Sequence, residues 1–144
     1  MSLSPYLIAV LAGWFIAQGA KYLIVALKNK DFTAFRNLYL SGNMPSAHTA
    51  TVVSIATVIG LSQGIDTAIF GLAATFAAVV MYDAIMVRRS VGEQGLALQE
   101  LIKATRDNTG VVLPRAAKGH TPLEVLVGAI LGVSVGLVVF FATK

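Results

Sequence analysis

Two histidines occur in the 144 residues, and each stands at the mouth of an apolar run. His48 lies in Gly42-Asn43-Met44-Pro45-Ser46-Ala47-His48-Thr49, and His120 in Gly119-His120-Thr121-Pro122-Leu123-Glu124. Paired imidazoles accompanied by lysines and arginines suit phosphoryl transfer. One neutral imidazole attacks phosphorus and forms a phosphohistidine. The second protonates the leaving alkoxide. Cations and helix N-terminal N–H groups stabilise the charge on the equatorial oxygens. A carboxylate orients the nucleophile. Glu124 follows His120 by four residues at a helix start, so the two side chains can meet. These residues predict two histidines facing each other across a phosphate site. Cations and amides supply the field, so neither a metal nor another cofactor is expected. His120 and Glu124 have no evident third metal ligand beside them.

Plainer uses exist for the same residues. Thr121-Pro122-Leu123-Glu124 is a capping box with proline at the first helical position, which accounts for Glu124 without catalysis. The two roles are compatible. Each histidine could also simply sit at a membrane interface.

The side chains that would hold an anion precede and follow these motifs. With Pro45 as the first helical residue, Ser46, Ala47 and His48 fall in a first turn whose free N–H groups favour an anion. Lys21 lies inside an apolar run, where a lysine costs roughly 2.5–3.5 kcal/mol on insertion scales. It either snorkels to the interface or faces the bundle interior and holds an anion. Gln18, Lys21 and Lys28 share one helical face, which favours the inward reading. Asp83, also in an apolar run, needs a partner, and Lys21 is the expected one. Arg88-Arg89 read as a stop signal for the third span.

The elements that position these groups are membrane helices. Hydrophobic residues make up 56% of the chain and charged residues 12%, against about 25% charged in ordinary soluble domains. So small a soluble domain could not bury this much apolar surface. The predicted fold is all-α: a single domain over residues 1–144, built as an integral membrane bundle of four transmembrane helices. The expected spans are Pro5–Leu27, Pro45–Leu61, Ile65–Val87 and Pro122–Thr143. The N-terminal run lacks the basic start of a signal peptide and reads as a retained span. Cysteine is absent, which excludes disulfides and thiolate metal sites.

One or two interfacial amphipathic helices complete the expectation. Ser90-Val91-Gly92-Glu93 has capping-box form, and Ala97, Leu98, Leu101, Ile102 and Thr105 then share a face. A second candidate is the aromatic stretch 32–40. In the last span Gly128, Gly132 and Gly136 recur every four residues and make a groove for another helix. That helix belongs either to the same bundle or to a second copy in a homo-oligomer.

Four spans place both termini on one side. The opposite side carries Lys28, Lys30, Arg36, Arg88, Arg89, Lys103, Arg106, Arg115 and Lys118. The positive-inside rule then makes the histidine-bearing loops cytoplasmic and both termini external. The expected partner is a membrane lipid; no nucleic-acid partner is expected.

Pro45-Ser46-Ala47-His48 resembles the P-S-G-H motif of the type 2 phosphatidic acid phosphatase superfamily. Together with Val87-Arg88-Arg89-Ser90-Val91-Gly92-Glu93-Gln94 and Gly119-His120-Thr121-Pro122-Leu123-Glu124, it resembles the superfamily's small divergent membrane branch, related to acid phosphatases and vanadium haloperoxidases. The resemblance implies that His48 is the general acid, with Ser46 and the Ala47 backbone on phosphate. It implies that His120 is the nucleophile and Glu124 its orienting acid, as in S-R-x5-H-x3-D. Lys21 and Lys28 would match K-x6-R-P as K-x6-K. The chain departs from these patterns at Ala47, Lys28 and Glu124. The third-motif arginine is displaced by one residue to Arg115, so Arg88 or Arg89 is the candidate for the missing guanidinium. The implied function is a metal-independent membrane phosphatase acting on a lipid phosphate or pyrophosphate, in the cell membrane of a prokaryote. The alternative is a non-catalytic membrane protein whose degenerate site binds phospholipid or phosphate.

Overall fold

The computed structural model describes residues 3–30, 44–105, 112–113 and 119–144. Five α-helices and one π-helical turn carry the described chain, and no strand occurs among the described residues. In order they are α1 (Pro5–Asn29), α2 (Ala47–Gln63), α3 (Ala68–Tyr82), the π turn (Asp83–Val87), α4 (Arg88–Ala104) and α5 (Pro122–Thr143).

The helix boundaries follow from local chemistry. Pro5 opens α1, where its missing N–H costs nothing. Lys30 ends that helix in the left-handed region at φ 53°, with its N–H donated to Ala26 O. Gly64, at φ 98°, closes α2. Thr67 caps α3 by accepting the Phe70 N–H. Thr121 and Glu124 form the expected capping box of α5, with Pro122 in the first turn.

The start of α2 corrects the expectation for Pro45. The helix begins at Ala47 with Ser46 as N-cap, and Pro45 stands outside it. Ser46 takes the cap because its hydroxyl accepts the Thr49 N–H, satisfying one of the orphan amides of the first turn.

α2 is the centre of the bundle, packed between α1 and α5. A Cβ on Gly13 of α1 would lie 2.6 Å from Ser54 Oγ, and one on Gly132 of α5 would lie 2.7 Å from Ala50 O. Gly128 and Gly136 press on Ser46 and Thr57 in the same way. The groove made by Gly128, Gly132 and Gly136 is therefore filled by α2 of the same chain. Ser54 Oγ adds a hydrogen bond from α2 to the Ala9 carbonyl of α1, at 2.8 Å. The interior is small and apolar: Ala17, Ala47 and Ala50 meet at one level, and Ala9, Val58, Val135 and Val139 at another. Large residues such as Leu7, Phe15, Ile130 and Phe141 face outward. Small inside and large outside is the packing of a bundle in lipid, where close backbone approach replaces the hydrophobic effect as the driving force.

Three helices have the length and composition to cross a bilayer: α1, the continuous helix 68–104 and α5. α2, at 17 residues, is the short fourth member. The expected break at Arg88-Arg89 is absent. The apolar run ends there, but arginine is a good helix former and no glycine or proline interrupts the backbone until Gly92. The 37 residues from Ala68 to Ala104 form one helix about 55 Å long, well beyond the roughly 30 Å hydrocarbon layer. Ser90 consequently sits inside a helix and caps nothing; Glu93 pairs with Arg89 instead. α4 exposes Val91, Leu96, Leu98 and Leu101 as it leaves the bundle. The stretch 32–40 lies outside the described residues.

Candidate active site

The first turns of α2 and α5 are fastened side by side. Ser46 N–H donates to Glu124 O at 3.2 Å, and Gly128 lies so close that a Cβ would come within 2.7 Å of Ser46 O. Two helix N-termini, each with its positive dipole end, therefore open at one level of the bundle.

His120 is buried. Its Nδ1 lies 3.0 Å from Glu124 Oε2. The same carboxylate oxygen accepts the Thr121 N–H at 3.0 Å, while Glu124 N–H donates to Thr121 Oγ1 at 3.3 Å. An ionised carboxylate can only accept, so Nδ1 is the donor, and in the neutral imidazole Nε2 then holds the lone pair. Glu124 thus serves the cap and orients the imidazole at once. On the backbone side, His120 N–H donates to Ala84 O in the π turn at 3.0 Å. Gly119 packs on the Arg88 and Arg89 backbone, where any side chain would collide.

His48 is the second residue of α2 and is exposed. Arg88, His120, Lys21 and Asp83 all lie near enough to act on it electrostatically. Lys21 is buried on α1 and interacts with Glu124. Among the described residues it has no carboxylate at ion-pair distance. Gln18, one turn earlier, is half-buried with its Oε1 unpartnered among the described residues. Lys28 is exposed in the last turn of α1, so the expected inward stripe is made by Gln18 and Lys21 and stops short of Lys28.

The partner expected for Asp83 is corrected. Asp83 pairs with Arg88, Nε to Oδ2 at 2.5 Å, and not with Lys21. The π turn is the cause: its wider circuit brings residues five apart to one side, which an α-helix does not. Arg89 pairs with Glu93 at 3.0 Å and lines a cleft of about 260 Å³ with Leu96, His120 and Thr121. Ser46 and Ala47 are buried, and Ser46 Oγ also accepts from Thr49 Oγ1 at 2.9 Å. Arg115 lies outside the described residues. The structure thus gathers His48, His120, Glu124, Lys21, Ser46, Ala47 and Arg88, with Arg89 on the α4 side of the cleft. Asp83 and the Ala84 carbonyl were missed as site groups. The five-residue spacing of Asp83 and Arg88 carries no signal in a reading tuned to helical periods of three and four.

One imidazole, His120, is oriented by a carboxylate at a helix start, and the second, His48, stands in the first turn of the neighbouring helix. The sequence profile described as the divergent PAP2 family matches residues 3–135. This chain belongs to that family. A relative from Bacillus subtilis (strain 168), described as "Uncharacterized membrane protein YuiD", is 33% identical in a 114-residue alignment; the match covers 70% of this chain and 72% of the relative. No solved structure matches. This divergent PAP2 protein is an integral membrane protein, by its three long apolar helices and by that membrane relative.

Proposed function

We propose that this divergent PAP2 protein hydrolyses the phosphate or pyrophosphate ester of a membrane lipid. The observation that carries the reading is the double use of Glu124 Oε2, which accepts from both His120 Nδ1 and Thr121 N–H. In this reading the neutral ring, oriented at a helix start, offers Nε2 as the nucleophile.

In this reading His120 Nε2 attacks phosphorus. The bond from phosphorus to the lipid oxygen breaks, and His48 donates its proton to that oxygen. Water then attacks the phosphohistidine, His48 takes up a proton from it, and phosphate leaves with His120 restored. Lys21, Arg88 and the first-turn amides of α2 bear the charge on the phosphoryl oxygens. α2 serves as a fourth crossing, short but enclosed by its neighbours. The histidine-bearing end then faces the cytoplasm of a prokaryotic cell, with both termini outside. A site at the end of the bundle suits an amphiphile whose headgroup sits at the interface.

The test is phosphate release by purified protein in detergent, from phosphatidic acid and from a prenyl pyrophosphate, with no added metal. The wild type releases phosphate, and His120→Ala and His48→Ala lose it. Release that survives both substitutions, or none from either lipid, overturns catalysis. Lipid phosphate bound without release identifies the non-catalytic alternative.

A further inference from the structure

The π turn is the one irregular segment inside the 37-residue helix, and two parts of the site are tied to it. Its backbone is closed by Arg88 N–H donating to Asp83 O, and the side chains repeat the link through Arg88 Nε and Asp83 Oδ2. A guanidinium has five N–H donors in a fixed fork. Asp83 engages the Nε donor, which fixes the plane of the group and leaves the Nη donors for a second, bidentate partner. Both members of the pair act electrostatically on His48. Arg89, the adjacent arginine, is turned toward Glu93 on α4.

The next residue serves the other histidine. A carbonyl oxygen has two lone pairs, and Ala84 O uses one for the His120 N–H. Gly119 lies flat on the same backbone; a Cβ there would come within 2.8 Å of the Arg88 carbonyl carbon. The turn therefore holds Arg88 against Asp83, within electrostatic reach of His48, while anchoring the backbone of His120.

We infer that the π turn is a positioning device, in which Asp83 holds the Arg88 guanidinium as the phosphate ligand beside His48, and Ala84 keeps His120 in register with it. This rests on the phosphatase reading and deepens it. It chooses Arg88 as the guanidinium of the site and adds Asp83 as a positioning residue that never touches phosphate.

The experiment measures orthovanadate affinity for the full chain in detergent, beside KM and kcat on phosphatidic acid. The proteins are wild type, Arg88→Ala, Asp83→Asn, Asp83→Glu, Arg89→Ala and the double variant Asp83→Asn/Arg88→Ala. Thermal denaturation checks folding, and Lys103→Ala on α4 controls for loss of surface charge.

Arg88→Ala should weaken vanadate binding by about tenfold to hundredfold, the range for a lost charge-assisted hydrogen bond. Asp83→Asn should raise KM more than it lowers kcat, and Asp83→Glu should restore part of the loss. In the Arg88→Ala background Asp83→Asn should change vanadate affinity no further, because Asp83 acts only through Arg88. Unchanged affinity in Asp83→Asn, or a loss in Arg89→Ala as large as in Arg88→Ala, overturns the inference and leaves the phosphatase reading standing. A wild type that neither binds vanadate nor releases phosphate removes both.

Discussion

Glu124 holds His120 by the same oxygen that closes the capping box of α5, with His120 Nδ1 and Thr121 N both 3.0 Å from Oε2. The cap and the imidazole thus share one carboxylate oxygen, and substitution separates the structural duty from the proposed chemical one. Glutamine can serve a capping box as well as glutamate. Its amide cannot stabilise the imidazolium that develops, nor fix the tautomer as firmly. Glu124→Gln should therefore keep its melting temperature nearly unchanged while kcat falls by about 10²–10⁴-fold. Phosphate release and thermal denaturation on one preparation check this, and equal losses in both would refute the division of labour.

Thr121→Ala parts the duties the other way. It removes the hydroxyl that accepts the Glu124 N–H at 3.3 Å. The loss should cost about 1 kcal/mol of stability, as for other N-caps. Glu124 can still reach His120 Nδ1, so activity per folded molecule should fall less than tenfold. A chemical denaturation series with activity normalised to folded protein measures both.

Lys21 is a buried cation with no carboxylate at ion-pair distance among the described residues. Burying a charge whose carboxylate neighbour, Glu124, lies beyond ion-pair distance is unfavourable. Lys21→Met keeps the length and apolar stem but deletes the charge, so it should leave the protein as stable as wild type or more so. Vanadate affinity and kcat/KM should both drop, by about tenfold to thousandfold. Stability lost in step with activity would instead make Lys21 a structural residue.

The glycines of α5 give a prediction about the bundle itself. A side chain on Gly132 meets the Ala50 carbonyl, a backbone atom that cannot swing aside, whereas Gly71 on α3 has open space around it. Gly132→Val should lower stability by about 1–3 kcal/mol or more through overpacking. Gly71→Ala should be neutral or slightly stabilising, because alanine is the better helix former. Thermal scans in detergent distinguish them.

Removal of divalent metal is a further check on the chemistry. In the proposed mechanism lysine, arginine and helix amides supply the field, so phosphate release should persist at full rate after treatment with a chelator. A loss restored by adding a divalent cation would show that a metal takes part.

Much of the fold was legible because membrane helices announce themselves by length and apolarity. Pro5 and Pro122 mark the starts of α1 and α5, where proline costs no hydrogen bond. The capping box at Thr121 and Glu124 is equally local: a side chain and a backbone amide three residues apart. The glycine spacing at 128, 132 and 136 forecast a close helix contact, though not which helix would fill it. The interior partner is α2, where the small residues Ser46, Ala50 and Ser54 recur at the same four-residue spacing.

What the sequence determined by itself were the quantities set over a few neighbouring residues: which runs are apolar, where a helix can start, and that Glu124 lies within reach of His120. What only the tertiary structure decided was how distant segments meet. Arg88-Arg89 ends an apolar run yet does not end a helix, since charge governs depth in the membrane and hydrogen bonding governs the backbone. Asp83 finds Arg88 rather than Lys21 because one wide turn changes which side chains share a face, a small backbone difference that no side-chain pattern records. The meeting of α2 and α5, Ser46 to Glu124, spans most of the chain, so its energy comes from packing that no local window contains.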